Sequence, residues 1–133
     1  GGQDSAGMNT GAVYSPQADN WVPTRASILT PTARGHHTAV WTGTYVVVWG
    51  GSGTGYLNTG GRYNPATNAW LATSVGANVP EARRQHAAVW TGTEMIVWAG
   101  TSNAVMNTGG RYNPATDSWL ATPTGYSAPL GRG

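Results

Sequence analysis

The sequence contains no cysteine and no lysine, and only 9% of its 133 residues are charged. Without cysteine there can be no disulfide, thiolate zinc site, cysteine nucleophile or cysteine-ligated iron–sulfur cluster. Seven arginines and five acids leave a net charge of +2. The isoelectric point near 9.3 therefore reflects scarce acids and absent lysine, not a basic patch. Charges so few and so dispersed give a phosphate backbone little to hold, which argues against a nucleic-acid partner. No apolar run approaches the ~18 residues a membrane span requires, and no charged segment leads into a hydrophobic one as in a signal peptide. What is abundant is glycine (20), proline (8), tryptophan (7) and tyrosine (6). This is a turn-rich chain that draws its buried area from a few large aromatic side chains, with length for one ordinary domain.

The chain repeats itself at an offset of 49 residues. Asn58-Thr59-Gly60-Gly61-Arg62-Tyr63-Asn64-Pro65-Ala66-Thr67 returns unchanged at positions 107–116. Trp21, Trp70 and Trp119 keep the spacing, as do Trp41 with Trp90, Trp49 with Trp98, His37 with His86, and Arg34 with Arg83 and Arg132. A more diverged first copy starts at Asn9-Thr10-Gly11 and continues through Tyr14 and Trp21. A period of this length fits long β repeats and excludes heptads and collagen triplets.

Each unit holds four short strand candidates. The first runs from His36 to Trp41 and is followed by the tight turn Thr42-Gly43-Thr44. The second, Tyr45-Val46-Val47-Val48-Trp49, is β-branched and aromatic and stops at Gly50-Gly51. The third lies around Thr59 to Asn64, and Asn-Pro-Ala-Thr-Asn at 64–68 is turn chemistry. The fourth centres on Trp70-Leu71-Ala72. No segment has a capped 3.6-residue period, so the fold class is all-β. Four hairpin-linked strands in a repeated unit form the blade pattern of a β-propeller. A blade cannot bury both faces alone, so Trp41, Val47, Trp49, Tyr63 and Trp70 are expected to pack between blades.

At these residues the sequence resembles the kelch family. Gly50-Gly51 follows the second strand, Tyr63 lies in the third and Trp70 in the fourth; Gly100, Tyr112 and Trp119 repeat the set, with Ala99 replacing the first glycine. Arg34 and Arg83 are similar to the family's arginine before the first strand. The resemblance covers nearly the whole chain and implies a propeller whose first strand lines a central channel. It does not imply one activity, since kelch-like propellers serve as protein adaptors, carbohydrate-active domains and enzymes. A copper–radical site like that of galactose oxidase is disfavoured, because its thioether needs a cysteine.

The repeat register sets the expected organisation: a half blade at 1–24, blades at 34–73 and 83–122, and a linker at 123–133 leading toward a next blade. The half blade is a third and fourth strand without inner partners. Further blades are then expected from the same parent polypeptide or from another chain. An isolated unit would expose an apolar blade face and open strand edges, an expected aggregation site.

The repeated polar residues have scaffold readings first. His37 and His86 begin inner strands, so a cluster at a channel mouth is conceivable, but a repeated residue usually marks a repeated structural solution. No metal site and no cofactor is expected. Arg34 and Arg83 could ring the channel mouth and attract an anion; the preferred reading is a bond to loop carbonyls of the neighbouring blade. Asp19 and Asp117 sit at turns, and no pair of acids is placed reproducibly enough for glycoside hydrolysis. No catalytic residue is assigned.

Residues that break the repeat are the better ligand candidates, because the scaffold does not demand them. Loop 53–57 differs from loop 102–106, and loop 77–81 differs from 126–130. Tyr56, Tyr126, Asn103 and Glu81 are the binding candidates on these loops. The expected function is a non-catalytic binding or scaffolding module that presents these loops to a protein or glycan. The alternatives are a propeller segment of a carbohydrate-active enzyme, and a structural subunit assembling through its unpaired half blade. Low charge with abundant Thr, Gly and Trp suits a secreted or cell-surface protein.

Overall fold

The structure, a computed structural model, describes residues 7–124 and residue 129. The described residues contain strands and no helix, in three antiparallel sheets. The first sheet is a pair, β1 (Ala12–Ser15) and β2 (Asn20–Pro23). The second is β3 (Thr38–Trp41), β4 (Val46–Trp49), β5 (Gly60–Asn64) and β6 (Ala69–Ala72). The third is β7 (Ala87–Trp90), β8 (Met95–Trp98), β9 (Gly109–Asn113) and β10 (Ser118–Ala121). Each four-stranded sheet is a meander in which consecutive strands are neighbours. Tyr14 opposes Trp21 as Tyr63 opposes Trp70 and Tyr112 opposes Trp119. The pair β1–β2 therefore has the register of the two outer strands of a blade, and the three sheets form part of a ring that does not close.

The turns explain why the strands stop where they do. Asn64 accepts the Ala66 N–H at 2.9 Å through Oδ1, and Asn113 does the same for Ala115, closing an Asx turn around each proline. Thr42 Oγ1 accepts the Tyr45 N–H at 2.9 Å and sets the β3–β4 hairpin. The first strand begins at Thr38 and not at the expected His36. His36 has φ 56°, and its counterpart Gln85 has the same value, so the chain bends in the left-handed region before extending. This bend has a use: the His36 carbonyl accepts the Gln85 N–H at 3.0 Å, tying the entrances of the two inner strands together.

Alternation and register divide each sheet into two faces. Thr38, Val40, Val47 and Trp49 share the face of the second sheet that meets the third. Ala88, Trp90, Met95, Val97, Tyr112 and Trp119 answer from the third sheet. Val47, Trp49, Met95, Val97 and Tyr112 are fully buried there. Each such side chain contributes roughly 1.5–3 kcal/mol relative to exposure. The Trp49 and Trp119 rings lie 5.3 Å apart, and Trp49 meets the His86 ring edge-on at 5.2 Å. Gly110 lets this packing close, since a Cβ there would come within 2.5 Å of Pro80 Cγ.

Trp41 corrects the sequence reading. Expected between blades, it is 52% exposed. It sits on the opposite face, toward β1–β2, where no inner strand pair covers it among the described residues. Trp70 shares that face and is only half-buried. No helix among the described residues is long and apolar enough to cross a membrane.

Candidate interaction surface

Strand pairing places the loops. Thr38 opposes Trp49 and Trp49 opposes Gly60, so the segment entering the first strand and the loop after the second leave the sheet at one end. The same holds for the third sheet, where Ala87 opposes Trp98 and Trp98 opposes Gly109. This end forms the rim that carries the non-repeating residues. The hairpin turns at Gly43 and Gly92 lie at the other end.

The rim loops share one backbone skeleton. Leu57 N–H bonds to Gly51 O and Met106 N–H to Gly100 O, both at 2.9 Å. Ser52 bridges Tyr56, and Thr101 bridges Val105. Only the side chains at the tips differ, which is the arrangement expected when a rigid scaffold displays variable contacts.

Beneath the loops sits a repeated arginine clamp. Arg83 is 1% exposed; its Nε donates to Glu81 O at 2.9 Å, Nη1 to Ala99 O at 3.0 Å and Thr108 O at 2.5 Å, and Nη2 to Thr108 Oγ1 at 3.0 Å. Arg34 makes the equivalent bonds to Thr32, Gly50 and Thr59. Burial lowers both guanidinium pKa values from their usual range. The planar fork suits this task, because it reaches several carbonyls at fixed angles where lysine would reach one. The acceptors belong to each arginine's own blade, not to the neighbouring one, and both guanidiniums face inward. Backbone bonds supply the link between blades: Gly51 N–H to Arg83 O at 2.8 Å, and Arg83 N–H to Leu57 O at 3.1 Å.

The two inner-strand histidines differ. His86 is buried, and its Nε2 lies 2.7 Å from Thr38 Oγ1 of the preceding blade. Burial first, then the nearby Arg83 and His37 charges, lower its pKa to about 4. His37 is half-buried and lowered for the same first reason, with Arg34 adding to it. A neutral ring wedged beside Trp49 is a packing piece. Among the described residues no three His, Cys, Asp or Glu side chains gather in a way that could hold a metal.

The exposed candidates fall along the rim. Tyr56 is partly exposed, with the Arg84 guanidinium 5.5 Å from its ring centre. Glu81 is exposed and lines a shallow depression of about 240 Å³ with Ser102, Val105, Met106 and Asn107. Asn103 is exposed at the tip of that same loop. Glu81 and the Asn103 loop are thus brought together, and the Leu57–Arg83 bond joins them to the Tyr56 loop. Tyr126 lies outside the described residues. Arg84 is a rim residue that the sequence reading misses, although it stands where the previous unit has Gly35; the rule of seeking non-repeating residues finds it.

The acids and the strand arginines hold the scaffold. Tyr63 donates to Asn68 Oδ1 at 2.5 Å, Tyr112 to Asp117 Oδ1 and Tyr14 to Asp19 Oδ1, both at 2.6 Å. The same Asn68 and Asp117 oxygens accept the Arg25 and Ser74 N–H groups at 2.9 Å, so each outer turn also fastens the segment leaving the previous blade. Arg62 lies over the Tyr45 ring and donates to Pro114 O of the next blade, while Arg111 faces Glu94 at 3.6 Å.

Repeated four-stranded meanders, stacked face to face with inner strands adjoining, are blades of a β-propeller. The KLHDC2/KLHL20/DRC7 Kelch-repeats domain family matches residues 1–133, and the chain belongs to the kelch-repeat family. No curated protein matches it. Kelch-repeat domains are in general non-catalytic modules for protein interaction.

Proposed function

We propose that this chain binds a protein partner through the rim formed by loops 52–57 and 101–106 and the segment 77–84. The observation that carries this reading is the contrast between frame and tips. The loop backbones, the arginine clamps and the blade core repeat from unit to unit, while the solvent-facing side chains change. Tyr56 supplies an aromatic contact held in place by Arg84, and Glu81 and Asn103 supply polar contacts beside the shallow apolar floor of Val105 and Met106. A mixed surface of this kind suits a protein ligand. Glycan binding has only the free face of Tyr56 in its favour.

The test compares immobilised wild-type chain with the triple variant Tyr56→Ala, Glu81→Ala, Asn103→Ala. The expected result is a reproducible set of captured proteins that the variant loses, together with a silent glycan array. Equal capture by both chains, or glycan signal abolished by Tyr56→Ala, would overturn the assignment to a protein partner at this rim.

A further inference from the structure

Glu81 departs from its repeat partner in a way that bears on what the rim binds. It stands 49 residues after Thr32, and both residues lie two before a clamp arginine. Both give that arginine their backbone carbonyl: Arg34 Nε donates to Thr32 O at 3.0 Å, and Arg83 Nε to Glu81 O at 2.9 Å. Thr32 also gives its side chain, whose Oγ1 accepts from Arg34 Nη2 at 3.2 Å. Glu81 does not. The Arg83 guanidinium bonds to the Glu81 carbonyl, Ala99 O, Thr108 O and Thr108 Oγ1, and the Glu81 carboxylate accepts none of its protons. A carboxylate is the strongest acceptor a guanidinium can have, so leaving it out of the clamp sets it apart.

The other acids show the same contrast. Asp19 accepts from Tyr14, Asp117 from Tyr112 and the Ser74 N–H, and Glu94 faces Arg111. Among the described residues the Glu81 carboxylate has neither a hydrogen bond nor an ion pair. It lines instead the depression of about 240 Å³ that it shares with Ser102, Val105, Met106 and Asn107. Val105 and Met106 make an apolar floor, and Ser102 and Asn107 add side-chain oxygens. The volume is below the roughly 300–1,000 Å³ of a small-molecule pocket and suits a single long side chain.

We propose that this depression receives a lysine side chain of the partner protein, with its stem on Val105 and Met106 and its ammonium on the Glu81 carboxylate. The inference rests on the reading that the rim binds a protein, and adds the sign of charge and the residue type the partner presents. Lysine lays a four-carbon stem on apolar surface, and its compact ammonium turns three donors toward Glu81, Ser102 and Asn107. Arginine is the poorer match, because its planar fork needs acceptors arranged in its own plane. The 133 residues contain no lysine, so a second copy of them cannot supply the occupant.

The test pans a displayed library of random peptides against the full chain and measures Kd for the selected peptides by fluorescence polarisation. The selected peptides are expected to share a lysine beside apolar residues. Glu81→Gln keeps the shape without the charge and should weaken them by roughly fivefold or more. Added salt should weaken binding to the parent chain and have little effect on Glu81→Gln. Glu81→Lys should instead favour the peptide whose lysine is exchanged for glutamate, a reversal that a damaged fold could not produce. Selection without lysine, failure to select any peptide, or equal binding when arginine replaces the lysine would overturn the proposal. Peptides lost by Tyr56→Ala but indifferent to Glu81→Gln would overturn it and leave the rim as the protein-binding surface. Peptides indifferent to Tyr56→Ala, Glu81→Gln and Asn103→Ala combined would overturn both.

Discussion

Arg83 offers the sharpest test of how the rim is held. Replacing it with Met keeps the aliphatic packing and removes four hydrogen bonds, to Glu81 O, Ala99 O, Thr108 O and Thr108 Oγ1. At 1% exposure no water takes the place of the guanidinium. Bonds from a charged group contribute roughly 1.5–3 kcal/mol each, and the buried Ala99 carbonyl left bare costs roughly 1–3 kcal/mol, while Thr108 O keeps the Ala99 N–H at 3.1 Å; these contributions do not add in full. The expected loss is about 3–5 kcal/mol. For a chain of this size that corresponds to a fall in Tm of roughly 10–20 °C. Arg83→Lys keeps the charge without the fork and should recover only part of the loss. Arg111→Met serves as the contrast, since Arg111 is 39% exposed and its Glu94 partner lies at 3.6 Å; it should cost under ~1 kcal/mol. Equilibrium urea unfolding followed by tryptophan fluorescence reads all three. An Arg83→Met chain within about 1 kcal/mol of the parent would refute the clamp, because four bonds from a charged donor, one of them to the buried Ala99 carbonyl, cannot be lost so cheaply.

Two further perturbations follow from local chemistry. His86 has a folded pKa of about 4 against an ordinary 6.5, so between these values the unfolded chain binds the extra proton. Its contribution is steady above pH 6.5 and is lost as pH falls toward 4, by about 3 kcal/mol in all; His86→Gln should flatten that part of a Tm-versus-pH curve, and an unchanged slope would contradict a buried neutral ring. Ala99 holds φ 61° where the preceding unit has Gly50 at φ 70°. Ala99→Gly should therefore stabilise by roughly 0.5–1 kcal/mol by relieving left-handed strain, read as a higher urea midpoint, and a lower midpoint would show that the methyl's packing outweighs it.

Much of this architecture is legible in the order of the amino acids. Identical residues at a fixed offset must adopt equivalent places, and Val-rich runs between Gly-Gly and Thr-Gly-Thr leave little choice but short strands. Three features are not legible in that way. The exposure of Trp41 depends on what lies beside its sheet, which its own sequence cannot state. The second role of Asn68 and Asp117 is hidden because an Asn or Asp in a turn already has a local explanation, and the bond to the departing segment needs tertiary geometry. The arginine clamp is expected from the repeat as a carbonyl contact but on the wrong blade, because the strand ends that converge on Arg34 and Arg83 come from folding back of the same meander. The rim shows the reverse case: Tyr56, Glu81 and Asn103 stand out by failing to repeat, and their loops share one end of the sheets.

The face-to-face stacking of successive blades holds the sheets and their loops in place, and a double-mutant cycle across one joint measures it most directly. Trp49 and Trp119 come from different sheets, with ring centres 5.3 Å apart. Combining Trp49→Leu with Trp119→Leu should give less than the sum of the single losses, with a coupling of about 0.5–1.5 kcal/mol. Strict additivity within ~0.3 kcal/mol would mean that the two blades do not meet through these rings, and the stacked arrangement would be contradicted.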